Sequence, residues 1–88
     1  MIFEYSEEKR QELISEGKMD FTLIVEMIEQ GNILDIKQNE VKGREHQKVF
    51  ILKYHDYIRV VPFVETSEKI FLKTNYPSRK QTKLYLGK

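Results

Sequence analysis

Lys48-Val-Phe-Ile-Leu-Lys-Tyr54, His55-Asp56 and Tyr57-Ile-Arg-Val-Val-Pro-Phe-Val64 are two runs rich in β-branched and aromatic residues, joined by a two-residue turn. Such runs pack well on a pleated surface, so they read as a well-buried strand, a tight turn and a second strand. Pro62 stands inside the second run and cannot donate a ladder hydrogen bond. That strand is therefore expected to carry a bulge there or to lose its pairing on one side.

Working outward toward the C-terminus, Glu65-Thr-Ser-Glu68 reads as the next turn. Ile70, Leu72 and Thr74 then alternate with Phe71, Lys73 and Asn75 in a further strand, which Pro77 ends. Ser78 followed three residues later by Gln81 has the capping-box pattern, and a short helix is expected from about Arg79 to Leu86.

Toward the N-terminus, the polar segment Asn39–Glu45 reads as a connection and Ile33-Leu34-Asp35-Ile36 as a short first strand. Before it, Asp20 can cap a helix in which Phe21, Ile24, Val25 and Ile28 recur at i, i+3, i+4 and i+7, the spacing of one buried face. Met19 and Ile24 occupy the positions of a hydrophobic staple, and Gly31 ends the helix. An earlier helix over residues 7–16 is capped by Ser6, has Glu7 and Glu8 at its positive end and stops at Gly17. Its apolar stripe, mainly Leu13 and Ile14, is thin, so Phe3 and Tyr5 are expected to help anchor it. The order predicts an α+β fold: two N-terminal helices packed on a four-stranded antiparallel sheet, a short C-terminal helix, and the other sheet face open.

The 88 residues suffice for one domain with one modest core. Cysteine is absent, which removes disulfides, thiolate metal sites and a cysteine nucleophile. The opening residues are too charged for a signal peptide, and no apolar run approaches the roughly 20 residues that span a bilayer. The expectation is a soluble, cytoplasmic protein with no membrane partner.

A net charge of +1 conceals an asymmetry. Residues 1–45 hold 6 Lys/Arg against 11 Asp/Glu, residues 46–68 hold 3 of each, and residues 69–88 hold 6 cations and no acid. That last stretch also carries Tyr76 and Tyr85, and cations mixed with rings can neutralise phosphates while offering stacking surfaces to bases.

The four glycines are scattered at element ends, so neither a phosphate loop nor a dinucleotide fingerprint is present. His46 and His55 lack a further ligand pattern, and neither a metal nor another cofactor is expected. One chemistry needs neither metal nor covalent intermediate: cleavage of RNA by its own 2′-hydroxyl. A base takes the hydroxyl proton, cations stabilise the phosphorane, and an acid protonates the leaving 5′-oxygen. His46, Lys48, Arg59, Lys73, Tyr76, Arg79 and Lys80 lie on or beside the last three strands, so several could converge on the uncovered face. Weighed against this, a basic C-terminal helix is usually just solvated, Tyr85 and Leu86 suit packing, and Arg59 is either a surface charge or a site residue.

Three stretches carry a family resemblance. Ile2-Phe-Glu-Tyr-Ser-Glu-Glu-Lys9, Gly17-Lys-Met-Asp-Phe21 and Ile70 to Lys80 resemble, in order and spacing, segments of the BrnT-like toxins of bacterial type II toxin-antitoxin systems, small ribonucleases with a RelE-like fold. The chain departs from that pattern in the first helix, where Leu13-Ile14-Ser15-Glu16 stands without a histidine, and at Pro77-Ser78-Arg79-Lys80, which replaces Ser-Ala-Arg-Arg. The resemblance implies an endoribonuclease acting on RNA and neutralised by a cognate antitoxin, with possible oligomers in that complex. It matches Arg79 and Lys80 to the paired cations and Lys48 to a basic residue opening the second strand, with His46 and Glu45 nearby. The alternative is a non-catalytic module that holds an acidic protein segment or nucleic acid on the same basic face, with salt-sensitive binding and no cleavage.

Overall fold

The computed structural model describes residues 2–88. The chain runs β1 (Ile2–Tyr5), α1 (Glu7–Ser15), α2 (Phe21–Glu29), β2 (Asp35–Gln38), β3 (Lys48–Tyr54), β4 (Tyr57–Glu65), β5 (Lys69–Leu72), β6 (Tyr76–Pro77) and α3 (Arg79–Leu86). The strands form one six-stranded sheet in the order β1-β5-β4-β3-β2, with β6 also paired to β4. Every pairing is antiparallel except β1 with β5, which is parallel. The fold is α+β as expected, but the sheet is larger and mixed rather than four-stranded and antiparallel. Among the described residues, no helix is long and apolar enough to cross a membrane.

The expected hairpin of β3 and β4 forms. Lys48 pairs with Phe63, and the register runs unbroken to Tyr54 with Tyr57. His55 and Asp56 have φ of 50° and 62°, the two left-handed residues that a type I′ hairpin turn requires.

Pro62 keeps its place opposite Val49 in this hairpin. Its carbonyl accepts from Lys73 N at 2.9 Å on the other side, so the missing N–H also lies on that side. There the register slips: Phe63 pairs with Leu72, but Val60 pairs with Tyr76. Lys73, Thr74 and Asn75 thus oppose only Val61 and Pro62, which splits the expected single strand into β5 and β6 around an extra residue.

Alternation along β3, β4 and β5 gives the sheet two apolar faces. Phe50, Leu52, Val61, Phe63, Ile70 and Leu72 meet Leu13 of α1 and Phe21, Ile24, Met27 and Ile28 of α2. Val49, Ile51, Ile58 and Val60 form the second face, with Tyr76 and the α3 residues Tyr85 and Leu86 packed on it. The second face is therefore covered, contrary to the open face expected. Each such side chain contributes about 1.5–3 kcal/mol when buried, so leaving four of them wet would forfeit much of a small domain's roughly 5–15 kcal/mol of stability.

Helix ends follow local chemistry. Ser6 accepts from Lys9 N and Asp20 from Thr22 N. Asp20 also receives Arg10 Nε at 2.8 Å and Nη2 at 3.0 Å, a two-pronged bond that ties α1 to the start of α2. Gly31, at φ 80°, supplies the left-handed residue after α2.

Candidate functional site

The joint between β5 and α3 builds a cavity on the second face. Asn75, fully buried, donates from Nδ2 to Met19 O at 3.1 Å and accepts at Oδ1 from Arg59 Nη2 at 3.0 Å. With Asn75 pinned toward α2, the next residue, Tyr76, falls on the opposite side of the sheet, against Val49, Ile51, Ile58 and Val60.

Ser78 then starts α3, accepting from Gln81 N at 3.1 Å. In a full capping box the Gln81 side chain would return to Ser78 N. Ile58 O already takes that N–H at 3.0 Å. The Gln81 side chain instead reaches β2, where its Oε1 accepts from Lys37 Nζ at 2.9 Å.

Lys37 gets there by register. It sits opposite Val49, on the same side as α3, and its Nζ lies 5.4 Å from the centre of the Tyr85 ring. Tyr85 in turn donates its hydroxyl to Asp35 Oδ2 at 2.5 Å. That bond pushes the Tyr85 pKa up to about 12 and holds the Asp35 carboxyl below its ordinary value.

Glu40, just beyond β2, bridges two cations: Oε2 is 3.1 Å from Lys80 Nζ and Oε1 is 3.7 Å from Lys37 Nζ. Lys37, Glu40, Tyr76, Ser78, Lys80 and Gln81 surround a cavity of about 250 Å³ floored by Val49, Ile51 and Val60. The hydrogen bond from Lys80, then the charge of Lys37, holds the Glu40 carboxyl below its ordinary value, which keeps it ionised. Burial, then the charge of Glu40, pushes the Tyr76 hydroxyl up, which keeps it protonated.

Of the residues singled out in the sequence, the fold brings Tyr76 and Lys80 into this cavity. Arg79 is exposed at the first residue of α3. Lys73 is exposed beyond β5, with its Nζ 5.4 Å from the centre of the Phe71 ring.

Arg59 does not join them. It pairs with Leu52 and points to the α1–α2 side, where it bonds Asn75 and leaves its Nε buried without an acceptor. Burial pulls its pKa down. Lys48 has the parity of Phe50 and Leu52, also on the α1–α2 side, and its Nζ is 3.3 Å from Glu65 Oε1. The expected meeting of Lys48 with Arg79 and Lys80 across one face is therefore not made, because strand alternation puts Lys48 and α3 on opposite faces. His46 is exposed in the loop before β3, not on a strand, and shares a separate groove of about 470 Å³ with Ile36, Gln38 and Lys48.

Lys37, Glu40 and Gln81 were not singled out as site residues. Period-2 alternation in Asp35-Ile36-Lys37 was a signal for Lys37, yet its face follows only from the pairing with β3. Gln81 was visible as a capping residue, and nothing local foretold that Ile58 would release its side chain. Among the described residues, no three His, Asp or Glu side chains cluster as a metal would require.

The chain matches no family model, no curated protein and no solved structure.

Proposed function

We propose that this chain is the ribonuclease toxin of a type II toxin-antitoxin pair, cleaving RNA without a metal at the cavity between β2 and α3. The observation that carries the reading is the Lys37–Glu40–Lys80 bridge beside Tyr76, which gathers a carboxylate, two ammonium groups and a phenol at one apolar-floored cavity. These groups supply every role that cleavage by the 2′-hydroxyl needs.

In this reading Glu40 takes the proton of the 2′-hydroxyl, and the 2′-oxygen attacks the adjacent phosphorus. Lys37 and Lys80 stabilise the added negative charge of the phosphorane. The bond from phosphorus to the 5′-oxygen breaks, Tyr76 donates its proton to that oxygen, and the products are a 2′,3′-cyclic phosphate and a free 5′-hydroxyl. At neutral pH Glu40 is ionised and Tyr76 protonated, the states in which a base and an acid must start. Of the paired cations implied by the BrnT-like resemblance, both at the first turn of α3, Lys80 lines the cavity and Arg79 is exposed. The antitoxin in this proposal lays an acidic segment over the cavity mouth and competes with RNA for Lys80 and Arg79.

The test is incubation of purified protein with RNA in EDTA, with analysis of the product ends. Cyclic phosphate ends that vanish in Lys80→Ala are expected. Intact RNA at protein excess overturns the proposal, and salt-sensitive binding without cleavage would transfer it to a non-catalytic module on the same face.

A further inference from the structure

The Gln81 side chain is buried to 7% exposure, yet its amide is only half used. Lys37 Nζ can only donate, so the Gln81 oxygen must face it, and this fixes which end of the amide is the donor. Among the described residues, the Gln81 Nε2 donates to no protein group, and it opens onto the cavity rather than being enclosed, since Arg59 Nε is the buried side-chain nitrogen left without a partner. Gln81 lines the cavity, so its uncommitted donor faces whatever is seated there.

We infer that this cavity is a seat for one unpaired nucleobase, with the Gln81 Nε2 as a fixed donor to an acceptor on the base edge. The floor of Val49, Ile51 and Val60 and the ring of Tyr76 suit the faces of a flat aromatic ring. The Lys80 ammonium at the rim suits the phosphate attached to it. The donor is held before the ligand arrives, because Lys37, which orients Gln81, is itself fixed by Glu40 and the Tyr85 ring. A nucleotide carries both the planar ring with an acceptor edge and the phosphate. The inference deepens the ribonuclease reading and rests on it for the polymer being RNA, while the pocket itself is tested without cleavage.

The experiment titrates isotope-labelled protein with each of the four ribonucleoside 5′-monophosphates and with ribose 5-phosphate, following the Gln81 side-chain amide by NMR. Base stacking is worth about 1–3 kcal/mol, so at least one nucleotide is expected to bind roughly 5- to 150-fold more tightly than ribose 5-phosphate and to shift the Gln81 amide. Gln81→Met, which keeps the shape and removes the donor, is expected to flatten the ranking among bases. As a second variant, Tyr76→Phe is expected to keep the preference for nucleotides over ribose 5-phosphate and Tyr76→Leu to lose it. Equal affinity for ribose 5-phosphate and all four nucleotides, or an unchanged base ranking in Gln81→Met, overturns the inference. Nucleotide binding that shifts Gln81 in a protein unable to cleave RNA would sink the ribonuclease reading and keep the pocket. Cleavage whose base preference ignores Gln81→Met would do the reverse.

Discussion

Replacing Asn75 by Leu removes the link that fixes both sides of the sheet at the cavity. Asn75 is fully buried and makes two side-chain bonds, one from Arg59 Nη2 at 3.0 Å and one to Met19 O at 3.1 Å. A hydrogen bond to a charged group is worth about 1.5–3 kcal/mol, and an orphaned buried carbonyl costs about 1–3 kcal/mol. Arg59 already has one nitrogen buried without an acceptor, so little local compensation is at hand. Together these give a loss of roughly 2.5–6 kcal/mol. In a domain of this size that is a Tm decrease on the order of 10–50 °C, since 1 kcal/mol corresponds to about 4–8 °C. The double variant Arg59→Met with Asn75→Leu removes the charge along with its acceptor, leaves only Met19 O unpaired, and is expected to cost about 1–2 kcal/mol. Urea unfolding followed by circular dichroism measures both variants against the parent. A loss below about 0.5 kcal/mol for Asn75→Leu, or a double variant less stable than the single one, would refute the reasoning.

Lys37→Ala and Lys80→Ala should each lower RNA cleavage by about 100-fold or more, the scale of one missing transition-state donor, whereas Lys48→Ala and Lys88→Ala should change it less than about threefold. A Lys48 effect matching that of Lys80 would place the chemistry on the wrong face. With Glu40 titrating below the ordinary carboxylate value and Tyr76 above the ordinary phenol value, the rate should be level between about pH 5 and pH 9. A limb centred near 6.5, the ordinary imidazole value, would assign the base to a histidine instead. Asp20→Ala should cost about 1–2 kcal/mol as a lost helix cap and Arg10 partner. The Asp20 carboxyl is held below its ordinary value, first by Arg10 and then by Thr22 N. Its contribution is therefore complete above about pH 4 and fades as pH falls through the lower folded value. Unfolding at pH 7 and pH 2.5 should show the gap between variant and parent shrinking in acid; a gap that widens would contradict the sign.

Some of this molecule was legible residue by residue. Ser6, Asp20 and Ser78 start their helices, and His55-Asp56 turns the hairpin, because caps and tight turns are settled by a few neighbouring side chains and backbone groups. Pro62 announced a defect on one side of β4, since a missing N–H matters wherever that side is paired. What local pattern left open was which partner each segment meets. Ile2–Tyr5 does alternate, with Ile2 and Glu4 exposed and Phe3 and Tyr5 half-buried, but it becomes a strand only by pairing with Lys69–Leu72 near the far end of the chain.

The candidate site divides in the same way. Tyr76 and Lys80 could be named from the sequence, because an acid-free stretch of cations and rings declares its chemistry without any fold. Their companions could not, since alternation tells which residues share a face but not which face a helix will cover. Only the packing of α3 on Val49, Ile51, Ile58 and Val60 decided that Lys37 and Glu40 stand beside Lys80, and that Lys48 and Arg59 stand behind the sheet. By itself the sequence determined the three helices with their caps, the central hairpin and the basic character of the last segment, all properties of near neighbours. The tertiary structure alone decided the parallel edge, the covered second face and the membership of the cavity, because each depends on contacts between residues far apart in the chain.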